Sequence, residues 1–107
     1  MKKIVIILIV LLLFTSNVIA SDKHEAWAIT QTYVESQLKA PSTARFSRIP
    51  WRLEGGKLID YGVGSYYIKA YVDAQNVYGA MLRKWFEITV TEEHGTWKAS
   101  NFHWLKK

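Results

Sequence analysis

Cysteine is absent from all 107 residues. Its absence excludes disulfide staples, thiol nucleophiles, thiolate–zinc sites and thiol redox chemistry. Charge of one sign never runs beyond two neighbours, so the basic stripe of a nucleic-acid binder is missing. No HExxH, Gly-x-Ser-x-Gly or phosphate-loop spacing occurs; Gly55-Gly56-Lys57 has the wrong surroundings for a phosphate cradle and reads as a turn. The sequence points to no cofactor and no metal. Proline appears only twice and glycine six times, so each is informative as punctuation.

Uncharged apolar sequence of any length is confined to Ile4–Phe14, after the cationic start Met1-Lys2-Lys3 and before the polar break Thr15-Ser16-Asn17. Val18-Ile19-Ala20 sets modest and small residues ahead of Ser21, the order of a secretory signal peptide spanning 1–20. The alternative is an uncleaved anchor, but a spanning helix needs about 20 predominantly apolar residues. Cleavage leaves residues 21–107 as one domain, exported to the periplasm or beyond the cell, with no stable membrane span. Loss of Lys2 and Lys3 brings the formal charge of +5 down to about +3, enough to favour anionic surfaces but not to imply nucleic acid.

A small exported domain without disulfides must hold by packing alone. Five tryptophans and six tyrosines supply the means, since each buried aromatic removes about 150–250 Å² from water. Asp22 followed by Glu25 reads as a capping box. Ala26, Trp27, Ile29, Tyr33, Val34 and Leu38 then make one apolar stripe of a helix running to Lys39, ended by Ala40-Pro41. Short strands are expected over Ala44–Ile49 and Leu58–Tyr61. The clearest β signal is a long hairpin, Ser65–Asp73 and Ala80–Thr91, with a last strand at Thr96–Trp104 beyond a tight Glu92–Gly95 turn. The order predicts an α+β domain: one N-terminal helix on a four- to five-stranded antiparallel sheet, the order of cystatin-like folds.

Period-two alternation separates the hairpin's faces. Tyr66, Ile68, Ala70 and Val72, with Leu82, Phe86, Ile88 and Val90, are expected to meet the helix, Lys84 interrupting. The opposite face carries Tyr67, Lys69, Tyr71 and Asp73 against Met81, Arg83, Trp85, Glu87 and Thr89. Tyr67, Lys69, Tyr71, Arg83 and Trp85 form the candidate binding patch, because aromatics and arginine give large contact area with few rotors. The competing reading has this face covered by Ile49-Pro50-Trp51 or Trp104, making Trp85 and Tyr71 a second small core. His94 beside Glu92 and Glu93, and the carboxylates Glu54, Asp60, Asp73 and Glu87, show no spacing that favours a metal site or an acid–base pair.

Two elements resemble a family. Leu38-Lys39-Ala40-Pro41-Ser42-Thr43-Ala44-Arg45-Phe46 is similar to an LK-x-PSTA-[KR]-F element. Val72-Asp73-Ala74-Gln75-Asn76-Val77-Tyr78-Gly79-Ala80-Met81-Leu82-Arg83 is similar to a VDAQN-x-[FY]-GA-x-x-R element. Both occur, in this order, in small exported or membrane-tethered proteins of bacteria and their phages. That resemblance implies a phage or mobile-element setting and supplies no chemistry. Many such proteins carry a cysteine pair between helix and late strand, which this chain lacks. Physically, Pro41 stops the helix, Ser42 and Thr43 bond nearby backbone, and Asp73, Gln75 and Asn76 serve a wide turn; a direct ligand contact by these turn residues is the other possibility.

The expected function is therefore a small non-enzymatic binding module at the cell envelope. Its partner is an envelope protein, another copy of itself or a cell-wall glycan. The alternative is a small cell-wall-directed hydrolase, or an inhibitor of one.

Overall fold

A computed structural model describes residues 22–106; segment 1–20, read above as a signal peptide, lies outside the described residues. Helix α1 (Lys23–Ser36) is followed by strands β1 (Arg45–Phe46), β2 (Lys57–Asp60), β3 (Ser65–Gln75), β4 (Met81–Glu93) and β5 (Thr96–Trp104). All strand pairs are antiparallel. β3 is the hub: β4 flanks one side, and β1 and β2 share the other, β2 toward its start and β1 toward its end. β5 pairs with the far side of β4. The protein is thus an α+β domain with the helix ahead of a five-stranded sheet.

Asp22 caps α1 as its chemistry dictates, Oδ1 accepting from Glu25 N at 2.9 Å. Glu25 does not complete the box; its carboxylate instead accepts from Trp97 Nε1 on β5 at 3.2 Å. The helix ends at Ser36 rather than Lys39. The Ser36 hydroxyl donates to Tyr33 O, and Gln37 N and Leu38 N bond three residues back, to Val34 O and Glu35 O. This tightened last turn stops the helix five residues before Pro41. Thr43 then ties the following turn to the sheet, donating to Ala40 O at 2.7 Å and accepting from Gln75 N at 2.9 Å.

The core lies between α1 and the inner sheet face: Ala26, Trp27 and Val34 against Tyr66, Ile68, Ala70, Val72, Phe86, Ile88 and Val90. Thr30, outside the expected stripe, is fully buried as well, its hydroxyl satisfied by Ala26 O at 2.9 Å. Leu82, expected in this core, is 46% exposed. It faces inward opposite Ala74, but the helix has already ended. The Ala44–Ile49 strand contracts to two residues because the chain turns at Pro50–Arg52 and carries Trp51 back to the helix start. There Trp51 meets His24 edge-on at 5.5 Å and lies under Lys23 Nζ at 5.2 Å.

β5 breaks period two. Trp97 and Ala99 face the core, and so do Phe102 and Trp104. Asn101, at φ +54, occupies a bulge where the register against β4 slips between Glu87 and Thr89. The extra residue resets parity, so Phe102 and Trp104 join Trp97 and Ala99 on the core side. The β4–β5 turn is two residues, His94 (φ +52) and Gly95 (φ +81), the type I′ geometry that matches strand twist.

Candidate functional site

The outer sheet face, which α1 leaves open, holds the five sequence-predicted residues. The hairpin register sets Tyr71 opposite Trp85, Asp73 opposite Arg83, Lys69 opposite Glu87 and Tyr67 opposite Thr89. Cross-strand neighbours on one face are about 4.5–5.5 Å apart, and here they interlock. Arg83 makes a two-pronged ion pair with Asp73, Nε to Oδ1 at 2.8 Å and the terminal nitrogen to Oδ2 at 3.0 Å. The same guanidinium lies 3.8 Å over the Tyr71 ring, while Trp85 meets Tyr71 edge-on at 5.1 Å. A planar, delocalised cation suits both contacts, which a lysine would not reproduce. The bond from Arg83 holds the Asp73 carboxyl below its usual range and raises the Arg83 guanidinium further above neutral pH.

Tyr67 stands apart from that trio. Its hydroxyl donates to Glu87 Oε2 at 2.7 Å. Burial, then the Glu87 acceptor, pushes its pKa up to about 12. Lys69 borders a shallow cleft beside Trp85 with Gly55, Leu105 and Lys106. The structure therefore gathers Tyr71, Arg83 and Trp85 into one cluster, sets Lys69 at its rim, and turns Tyr67 to a separate pair.

Neither Trp51 nor Trp104 covers this face: Trp51 lies at the helix start, and Trp104 packs inward on Phe86 and Phe102. What touches Trp85 is the loop before β2. A Cβ at Gly55, whose φ is +85, would stand 3.0 Å from Trp85 Cη2. At Gly56 a Cβ would stand 2.0 Å from the Pro50 carbonyl oxygen. Adjacent glycines therefore let the loop close on itself and lay bare backbone against the indole. Trp85, Tyr71, Tyr67 and Lys69 are left half-buried and Arg83 exposed. Gly55 and Asp73 were not among the predicted site residues. Only Asp73 carried a signal, its parity with Tyr71 and Arg83.

Among the other groups of chemical interest, Asp60, Asp73, Glu87 and His24 have local partners. Asp60 accepts from Gly62 N at 2.8 Å, Asp73 and Glu87 are engaged as above, and His24 packs on Trp51. Among the described residues no three acidic or histidine side chains cluster as metal ligands would, and no helix is long and apolar enough to cross a membrane. Compared with protein-family models, curated proteins and solved structures, the chain has no match.

Proposed function

We propose that this domain is a small protein-binding module working at the cell envelope, and that it meets its partner through the outer face of the β3–β4 hairpin. The observation carrying this reading is the Asp73–Arg83–Tyr71–Trp85 cluster: held rigid by an ion pair and ring contacts, yet half-open on a face that α1 leaves uncovered. Aromatic and arginine side chains fixed before binding lose little entropy on contact. Buried structural clusters have no need to remain open; recognition surfaces do.

The test uses a photo-crosslinking amino acid, placed at Tyr67 on the outer face or at Thr32 on the exposed side of α1. Irradiation of cells exporting the protein gives a discrete protein adduct from position 67 and none from position 32. Replacing Trp85 and Arg83 together by serine leaves the fold intact and removes the adduct. Adducts from both positions, or unfolding of the double variant, overturn the reading. Export itself is checked on the same material, whose mass corresponds to a chain beginning at Ser21.

A further inference from the structure

The turn joining β3 to β4 holds two neighbouring apolar side chains out in solvent: Val77 is 66% exposed and Tyr78 90%. The turn that carries them is firmly built. Asn76 Oδ1 accepts from Tyr78 N at 2.9 Å and from Ala80 N at 3.0 Å. Asn76 N donates to Ala80 O and Gly79 N to Asn76 O, with Gly79 at φ +83. One asparagine thus fixes the loop from within, and Val77 and Tyr78 are displayed in a set position. Beside them a cleft of about 230 Å³ is lined by Leu38, Ala74 and Leu82 together with Lys39 and Lys84.

Charge is spread unevenly along the hairpin. Its turn end carries Lys39, Arg45, Arg83 and Lys84. The carboxylates there are Asp73, already tied to Arg83, and Glu35, a turn back along α1. Among the described residues the ion pairs are Arg83–Asp73 and Lys98–Glu93, which leaves Lys39 and Lys84 without a carboxylate. The opposite end of the sheet gathers Asp22, Glu25, Asp60, Glu92 and Glu93 against Lys23 and Lys98. Val63 lies at that acidic end, beside Gly64, whose carbonyl accepts from Glu92 N, and is 77% exposed. Similar apolar exposure therefore sits in opposite electrostatic settings at the two ends.

We infer that the β3–β4 turn is a lipid contact: Val77 and Tyr78 enter the headgroup region of an anionic bilayer, and Lys39 and Lys84 meet its phosphates. This site is separate from the outer-face cluster and does not rest on it. An aromatic ring with a polar tip settles at headgroup level, and an aliphatic neighbour gains by leaving water. Each basic side chain close to an anionic surface adds to the attraction. A protein is the poorer occupant, because two exposed side chains fall well short of the roughly 800 Å² that a stable interface buries on each partner. A second copy of this chain is poorer still, since it brings cations against cations. The acidic end, with Val63, is turned away from such a surface.

The experiment uses the protein recovered from exporting cells, with vesicles of phosphatidylcholine alone or mixed with phosphatidylglycerol. The protein sediments with the mixed vesicles, is released by raised salt, and ignores the zwitterionic ones. Tyr78→Ser weakens binding about tenfold or more, and so does the pair Lys39→Gln and Lys84→Gln. The exposed Tyr78 position keeps the test sound if the lysine pair disturbs the fold. Because the chain has no cysteine, Val77→Cys and Val63→Cys each provide a single labelling site. An environment-sensitive dye at position 77 shifts to shorter emission wavelength on the mixed vesicles, and one at position 63 does not. Trp85→Ser leaves vesicle binding unchanged, whatever becomes of the crosslinks from position 67. Absence of binding to the mixed vesicles overturns the inference, as do equal shifts of the two dyes or binding that survives Tyr78→Ser. Binding lost in Trp85→Ser moves the contact to the outer face and overturns it as well. A protein adduct from a photo-crosslinker at Tyr78, without vesicle binding, assigns the turn to a protein partner and overturns it too.

Discussion

Tyr67 has a hydroxyl whose chemistry departs from its free form. Its folded pKa, about 12 against the ordinary 10.0, is set first by burial and then by the Glu87 carboxylate. A value raised on folding means that the neutral phenol stabilises the fold fully below about pH 10. That contribution fades as pH rises through about 12. In an alkaline titration followed by tyrosinate absorbance, a phenol ionising near pH 12 is expected, and Glu87→Gln should bring it forward. A late phase that survives in Tyr67→Phe assigns the shift to another tyrosine. Asn101 poses a backbone question instead. At φ +54 it sits where L-residues other than asparagine, aspartate and glycine are strained by about 1–2 kcal/mol. Asn101→Val is expected to lose that much in urea denaturation while Asn101→Gly stays near neutral. Equal stability of the two variants means the bulge has moved.

Among the elements, the loop between β1 and β2 has the most leverage on the candidate site. Gly55→Ala places a methyl against Trp85 Cη2 at a φ of +85. The expected result is a loss of about 1–3 kcal/mol with changed near-ultraviolet circular dichroism and an unchanged far-ultraviolet spectrum. Both spectra unchanged would mean that the loop does not seat on the indole. None of this was legible beforehand, because where a loop returns depends on tertiary packing rather than on its own pattern. The hairpin faces were legible, since period two and an unbroken register fix which side chains share a side, and Tyr71 does meet Trp85. β5 shows where that logic stops. Alternation pairs Trp97 with Asn101 and His103, and only an inserted residue brings Phe102 and Trp104 round to the core. At the helix, Asp22 marked the start correctly. Pro41 marked the end too late, because Ser36 and Gln37 had already closed the last turn.

For the molecule as a whole, stability without a single cysteine rests on the aromatic seam between α1 and the sheet. Trp27, only 4% exposed, donates from Nε1 to Ser47 O at 2.9 Å and meets Phe46 edge-on at 5.7 Å. It thus pins the helix to β1 and to the residue that follows it. Trp27→Ala is expected to cost about 3–5 kcal/mol, a large share of the roughly 5–15 kcal/mol available to a domain. The check is the thermal midpoint: little change would place the indole outside the seam. The outer face adds its own polar lacing, from the Ser65–Thr91 hydroxyl pair at 3.0 Å to the Arg83–Asp73 ion pair, so that neither side of the sheet depends on the other for hydrogen bonds.

The bond between Trp97 and Glu25 joins positions 72 residues apart, and this separation sets an order of events during synthesis. The helix is made before the strands, whereas the sheet is a run of neighbouring hairpins that can zip locally as each turn emerges. α1 must nevertheless wait for β5, because Ile29 and Tyr33 find Trp97, Ala99 and Phe102 only then. The first of the described elements to be made is therefore the last to be sealed. Until it is, its apolar flank is available to whatever holds nascent chains, and closure by the final strand ends that exposure.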